Sequence, residues 1–236
     1  MSSTRLLLGH RGARLPQVPE NTIAAFDLAL AAGCDGFEFD LRCARDGHLI
    51  VFHDAHVCGL EIAVAGLGEL QVRWQEREWR RFARKEDLRI PVLEEVLEKY
   101  SQAFLDIELK VPGMEECVRA ALKENAPASS YVVSSFLPEV LLKMAELDSD
   151  IPLGLISDRS EDLQQWRELP VTYVFPQQKL VNPALIAELH SAGKKVIVWT
   201  VNRESDMRRL AEWEVDGLVS DDPGLLCRVL AIQDDW

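Results

Sequence analysis

No stretch of this 236-residue chain approaches the ~18 consecutive apolar residues that a membrane-spanning helix requires. The opening run Leu6-Leu7-Leu8 is too short for a secretory signal. Cysteine is scarce: five residues, at 34, 43, 58, 117 and 227, odd in number and with no C-x-x-C pair. Three of them, Cys34, Cys43 and Cys117, fall in stretches that read as packed, which suits free thiols in a reducing compartment better than a disulfide framework. Positive charge is also short. Lys and Arg number 26 against 39 Asp and Glu, a net charge of −13. That balance argues against nucleic acid or an anionic membrane as the main partner, but an anionic small molecule is still admitted wherever a local cation overrides the global field. Missing too are a Gly-x-Ser-x-Gly elbow and a Gly-rich phosphate loop. A His-x-His on the first strand is likewise absent, because Arg11 and Gly12 follow His10. The expectation is a soluble, cytoplasmic protein without stable membrane insertion, whose oligomeric state the sequence does not specify.

What is present is a globular composition, 47% hydrophobic and 28% charged, with a regular beat of strand and helix. Leu6-Leu7-Leu8 reads as a strand, and Asn21 is placed to cap a helix through Ala32 that Gly33 stops. Asp35 to Leu41 reads as the next strand, followed by a hairpin turn at Asp46-Gly47 and the run Leu49 to Phe52. The later strands are expected at Ala103 to Lys110, Tyr131 to Phe136, Pro152 to Ser157, Thr172 to Phe175, Lys195 to Val201 and Gly217 to Ser220. Helices are expected between them. Pro138 opens one, Ser160 and Asn182 cap two others, and the last runs from Gly224 to Ile232. Eight strand–helix units of ~25–30 residues predict an α/β fold of the (β/α)8 TIM-barrel type, one domain over residues 1–236. An open doubly wound sheet is disfavoured by the number of units and by the lack of a Gly-rich first turn. A small insertion, at about 55–90, follows the second strand.

The barrel gathers chemistry at one mouth, because side chains at the C-terminal strand ends converge there. His10 and Arg11 end the first strand. Glu38 and Asp40 lie two apart near the end of the second, so both face the same way, as Glu108 and Lys110 do on the third. His53 follows the hairpin extension of the second strand. Two imidazoles, same-face carboxylates and an arginine suit metal-assisted chemistry on a phosphate. The remaining histidines, His48, His56 and His190, read as surface residues.

Taken together, His10-Arg11-Gly12, Pro19-Glu20-Asn21-Thr22, Glu38-x-Asp40, Asp46-Gly47 and His53-Asp54 resemble the motifs of the glycerophosphodiester phosphodiesterases. Ile107-Glu108-Leu109-Lys110 and Trp199-Thr200-Val201-Asn202 resemble that family's third- and seventh-strand motifs. The resemblance implies a TIM barrel, a divalent cation, and hydrolysis of small glycerophosphodiesters to glycerol 3-phosphate and an alcohol. The carboxylates Glu38, Asp40 and Glu108 are hard oxygen ligands suited to Mg²⁺ or Ca²⁺, with Mn²⁺ also admitted. Arg11 can grip phosphate oxygens bidentately and Lys110 adds a point charge. The histidine side chain is intrinsically suited to proton transfer near neutral pH, so His10 and His53 can act as base and acid, in that order of preference. Trp199 and Phe136 are candidates for an apolar wall against the glycerol group. Glu20, Asn21 and Asp54 are candidate supporting residues.

Two other functions belong beside this one. The first is lysophospholipase D-type cleavage of a lipid phosphodiester, and the second a non-catalytic barrel that binds phosphorylated ligands. The sequence departs from the family after Asp54, where Ala55 to Leu60 lack an Arg-Thr-Thr-like run. The basic, aromatic stretch Arg73 to Phe82 reads as a helix over the mouth, Trp and Phe inward and Arg outward.

Overall fold

The computed structural model describes residues 5–16, 18–78 and 89–230. Eight parallel strands follow one another in the chain: β1 (Leu6–Gly9), β2 (Gly36–Cys43), β3 (Phe104–Leu109), β4 (Tyr131–Ser135), β5 (Leu153–Ser157), β6 (Tyr173–Pro176), β7 (Lys195–Val198) and β8 (Gly217–Ser220). Each pairs with its sequence neighbours, and β1 pairs with β8 on one side and β2 on the other, so the sheet closes. This is the (β/α)8 barrel that the eight strand–helix units predict. The helices are α1 (Ile23–Ala31), α2 (Leu67–Glu78), α3 (Leu93–Lys99), α4 (Glu115–Glu124), α5 (Pro138–Leu147), α6 (Ser160–Leu163), α7 (Pro183–Ser191), α8 (Glu204–Glu212) and α9 (Pro223–Leu230). No described helix is long and apolar enough to cross a membrane.

Strand periodicity sorts the side chains into two layers. On β2, Phe37, Phe39 and Leu41 point outward into the helix layer, where Phe26 of α1 stacks on Phe37 at 4.1 Å and Tyr100 meets it edge-on at 5.0 Å. Burying each of these large side chains stabilises the fold by roughly 1.5–3 kcal/mol. Glu38 and Asp40 alternate with them and point into the barrel. On β3 the outward set is Leu105, Ile107 and Leu109, and the inward set is Phe104, Asp106 and Glu108. Below the acids the barrel is filled by Leu8, Phe104, Val132, Ile156, Tyr173, Phe175, Ile197 and Val219. An apolar floor therefore carries a layer of buried acids.

Several boundaries differ from expectation for local reasons. Thr22, not Asn21, caps α1: its hydroxyl accepts from the Ala25 N–H at 3.3 Å, and Asn21 is turned away at φ +57°. Ser160 is the first residue of α6, with Arg159 at the cap position. β7 stops at Val198, and Trp199 keeps only an isolated bridge to Gln177. Cys117 lies exposed on α4 rather than packed, and Cys43 is half-buried.

The hairpin strand Leu49–Val51 pairs antiparallel with the end of β2. Beyond it, His56–Val57 and Leu60–Glu61 form a short hairpin, followed by one 3₁₀ turn and α2. This insertion has its own apolar centre of Ile50, Val57, Ile62, Leu70 and Ile90. Trp74 turns inward, perpendicular to Phe52 at 5.2 Å, and Arg73 and Arg77 face solvent. The rest of the expected stretch, Trp79 to Phe82, lies outside the described residues, as does the expected end of the last helix at Ile232.

Candidate active site

The turn after β1 begins the site. Arg11 has φ +52° and Gly12 φ +80°, two successive left-handed residues. A Cβ at Gly12 would stand 2.6 Å from the backbone of Ala25, so only glycine fits there. Arg11 carries the strain of a non-glycine residue in this region. The turn aims its backbone N–H at Glu38 Oε2, 2.9 Å away. Its side chain runs back under the mouth: Nη1 bonds Glu20 Oε1 at 2.5 Å and Nε lies 3.2 Å from Asp40 Oδ2. Glu20 also holds Arg14. Asn21, released from capping by its positive φ, donates Nδ2–H to Asp40 Oδ2 at 2.7 Å and accepts the Asp40 N–H at 3.3 Å.

The β2–β3 register sets Asp40 beside Glu108 and Glu38 beside Asp106. Glu38, Asp40 and Glu108 are all buried, and one carboxylate oxygen from each lies within 4.8 Å of the other two. Lys110 Nζ is 2.6 Å from Glu108 Oε1 and 3.2 Å from Asp40 Oδ1. Glu38 Oε1 and Asp40 Oδ1 are buried without a hydrogen bond. Asp106 sits one layer down, accepting the Ser134 hydroxyl at 2.5 Å.

Both expected histidines reach this mouth, each with a carboxylate on Nδ1. His10 Nδ1 is 2.6 Å from Asp221 Oδ1, and its Nε2 lies 3.8 Å from Glu38 Oε2. His53 Nδ1 is 2.8 Å from Asp54 Oδ1, and its carbonyl accepts from Arg42 Nε. Asp221, directly after β8, is the residue that sequence reasoning missed. Asn202 fixes it from two sides: Nδ2 donates to Asp221 Oδ2 at 2.6 Å, and Oδ1 accepts the Asp221 N–H at 2.9 Å. Arg14 Nη1 adds a third contact at 3.3 Å.

A cavity of about 140 Å³ is lined by His10, Arg11, Glu38, His53, Glu108, Lys110, Phe136 and Trp199, among others. Phe136 and Trp199 meet edge-to-face at 5.6 Å, and the indole N–H donates to the Phe175 carbonyl at 2.7 Å. Lys110 Nζ stands 5.8 Å from the Phe136 ring centre. Asp40 lies beneath, fully buried. Glu20, Asn21 and Asp54 line a second, wider cavity of about 470 Å³ that also takes in Phe52 and Trp74 of the insertion. His53 belongs to both cavities.

The electrostatics favour a cation among the acids. Burial, then Asp40, pushes Glu38 well above the usual carboxylate range, and the same two causes push Glu108 up to about 7. Burial acts on Asp40 in the same sense, but Arg11, Lys110 and the Asn21 hydrogen bond outweigh it and leave Asp40 low. Three carboxylates this close cannot all ionise unaided, because like charges disfavour one another in a dry site. A hard divalent cation held by Glu38, Asp40 and Glu108 fits the oxygen donor set and would use Glu38 Oε1, which is buried without a hydrogen bond, and Asp40 Oδ1 beside Lys110. At the rim, burial opposes ionisation of Asp221, yet the His10 hydrogen bond and charge, Asn202 and Arg14 bring it down to about 2. Burial lowers His53 below its ordinary value, with Asp40 acting against it.

A glycerophosphoryl diester phosphodiesterase family model matches residues 10–225. The chain belongs to that family. It is a phosphoric diester hydrolase. A glycerophosphodiester phosphodiesterase of Caldanaerobacter subterraneus subsp. tengcongensis is 31% identical, over 95% of this chain and 97% of its own. The solved structure of a Silicibacter pomeroyi protein superposes with a TM-score of 0.84 at 26% identity, covering 98% of this chain and 95% of that one. An Oleispira antarctica phosphodiesterase, solved in complex with the product sn-glycerol-3-phosphate, is also 26% identical. It gives a TM-score of 0.82 and covers 96% of each chain.

Proposed function

We propose that this chain hydrolyses glycerophosphodiesters to glycerol 3-phosphate and an alcohol, with His10 as general base and His53 as general acid. One observation carries the assignment: two carboxylate-paired imidazoles share a single small cavity with Arg11, Lys110 and the three-carboxylate cluster. Membership of the family supports the substrate class, as does the glycerol 3-phosphate complex of the Oleispira antarctica relative.

The substrate's phosphate is an anion that resists nucleophilic attack, so it needs charge neutralisation and proton transfer at both the entering and leaving oxygens. Arg11 and Lys110 supply positive charge at the cavity wall, Arg11 with a fork suited to two phosphate oxygens. A divalent cation held by Glu38, Asp40 and Glu108, with Mg²⁺, Ca²⁺ or Mn²⁺ as candidates, would stabilise the developing negative charge. His10 takes a proton from the attacking hydroxyl or water, and Asp221 fixes its tautomer and stabilises the imidazolium that forms. His53 gives a proton to the departing alcohol. Its lowered pKa makes its imidazolium a stronger acid than an ordinary one. Trp199 and Phe136 pack against the glycerol carbons in the small cavity. The wider cavity beyond His53 receives the alcohol, with Glu20, Asn21 and Asp54 keeping the machinery in place.

We take residues 1–236 as one domain that acts in the cytoplasm on small molecules rather than nucleic acid, in keeping with its net charge of −13. The test is release of glycerol 3-phosphate from glycerophosphocholine by purified protein with Mg²⁺, Ca²⁺ or Mn²⁺, run beside choline release from lysophosphatidylcholine. Activity on the first substrate that disappears in His10→Ala supports the proposal. Preference for the lipid, or no turnover with any of the three cations, overturns it.

A further inference from the structure

Two of the five cysteines meet at the pole of the barrel opposite the mouth. Cys34 follows the turn that ends α1, where Gly33 adopts φ +101° and the Cys34 N–H returns to the Ala29 carbonyl. Cys227 lies in α9, the last described helix. Their sulfurs are 3.6 Å apart although 193 positions separate them in sequence. Nothing stands between them, since even a Cβ built on Gly33 would lie 3.8 Å from Cys227 Sγ. Among the described residues no other two cysteine sulfurs are hydrogen-bonded to each other: Cys43 Sγ contacts the Ala44 carbonyl and Cys58 Sγ faces Arg77.

We propose that Cys34 and Cys227 form an oxidisable thiol pair which a peroxide converts to a disulfide, fastening the last helix to the first strand–helix unit. A disulfide brings its sulfurs to ≈2.05 Å, about 1.5 Å closer than they stand here. Both residues are buried, with 7% and 8% of their surface exposed, so the oxidant proposed is a small one, a peroxide. The hydrogen bond between the thiols raises Cys34 and lowers Cys227, and whichever sulfur gives up its proton is the nucleophile. Its thiolate attacks a peroxide oxygen and the O–O bond breaks, giving a sulfenic acid and, after proton uptake, one water. The other thiol, deprotonated, then attacks that sulfur. The S–S bond forms, the S–O bond breaks, and a second water leaves. Two thiols lose two electrons and two protons, and one peroxide becomes two waters.

The bond would enclose nearly the whole chain, and longer closures constrain the unfolded state more. At the N-terminal end of the barrel it touches no residue of the mouth, the usual division between stability and catalysis in this architecture. The test is to treat the folded wild-type protein with hydrogen peroxide, block remaining thiols, and map the peptides by mass spectrometry. A cross-linked peptide pair containing Cys34 and Cys227, short by two hydrogens, is expected. With it should come a rise in Tm of roughly 5–10 °C that a reductant reverses, and turnover within twofold of the reduced enzyme. Cys117→Ser should keep the cross-link, and Cys34→Ser should lose both it and the Tm rise. Oxidation to sulfinic or sulfonic acid without a Cys34–Cys227 link, or a link without any change in Tm, would overturn the proposal. The wild-type peptide map decides this even if a variant does not fold.

Discussion

Asp221 and His10 lie 211 positions apart in the chain and 2.6 Å apart in space. Asp221 follows the last strand and His10 the first, so the contact spans the seam where the barrel closes. It holds the His10 ring by Nδ1 and leaves Nε2 facing the cavity. Asp221→Asn removes the charge that stabilises the imidazolium and should lower kcat by roughly 10²–10⁴-fold with little change in KM. His10→Ala should lose at least as much. Steady-state kinetics on glycerophosphocholine, with circular dichroism to verify folding, separates loss of chemistry from loss of structure.

The same carboxylate makes a prediction for stability. Asp221 sits at about 2 in the folded protein, against ~3.9 unfolded. The unfolded state therefore binds more protons between those values, so the stabilisation is present above about pH 4 and is lost as pH falls towards 2. Discounted for partial solvent screening, it amounts to about 1–2 kcal/mol. Urea unfolding of wild type and Asp221→Asn should differ by that amount at about pH 5 and converge near pH 2. A gap that stays constant across this range would mean the His10 contact is not what depresses Asp221.

Glu108→Gln tests the cation cluster. The substitution keeps the shape and removes one of three negative charges, so the cation concentration giving half-maximal activity should rise by at least about 10-fold. Removal of divalent cations by a chelator should abolish wild-type turnover, and their return should restore it. If activation by the cation is identical in the variant, Glu108 does not belong to the binding set.

Arg11 donates its backbone N–H to Glu38 and sets its guanidinium beside Asp40, where the proposed function has it grip phosphate. Arg11→Lys preserves the charge but loses the planar fork, and kcat/KM should fall by roughly 10–100-fold. Arg11→Gly suits the φ of +52° and removes the side chain altogether. Because it also leaves buried Asp40 without its arginine partner, its Tm should fall, and turnover should fall further than in Arg11→Lys.

Neighbouring Asn21 and Thr22 should behave differently. Thr22→Ala removes the hydroxyl cap of α1 and should cost about 1 kcal/mol of stability, measured by chemical denaturation, with a smaller effect on kcat. Asn21→Ala frees Asp40 from the Asn21 amide donor and should depress kcat more than it lowers Tm.

The contrast between those two residues shows what could be read in advance. Period-two alternation placed Glu38, Asp40 and Glu108 inside the barrel, because Phe37, Phe39, Leu41 and Ile107 had to face the helices. The eight-fold beat did the rest, bringing His10, His53 and Lys110 to one mouth. Asn21 misled because asparagine is an excellent cap, and only the tertiary pull of Asp40 turns it to φ +57°. Asp221 went unnoticed in Ser220-Asp221-Asp222-Pro223, which reads as a turn leading into a helix. The usable signal was positional: an acid one residue past the eighth strand must stand at the same mouth as His10. Cys34 and Cys227 gave no local sign at all, since their contact exists only once α9 packs against α1.

The closing seam has a consequence for how this protein comes to be active. In a chain emerging in order from the ribosome, His10 precedes the partner that orients it by 211 residues. Truncations ending before β8 would carry all three carboxylates of the proposed cation site and both His10 and His53, and still lack the His10–Asp221 contact across β1 and β8. On the proposed mechanism, full catalytic competence is thus tied to completion of the ring.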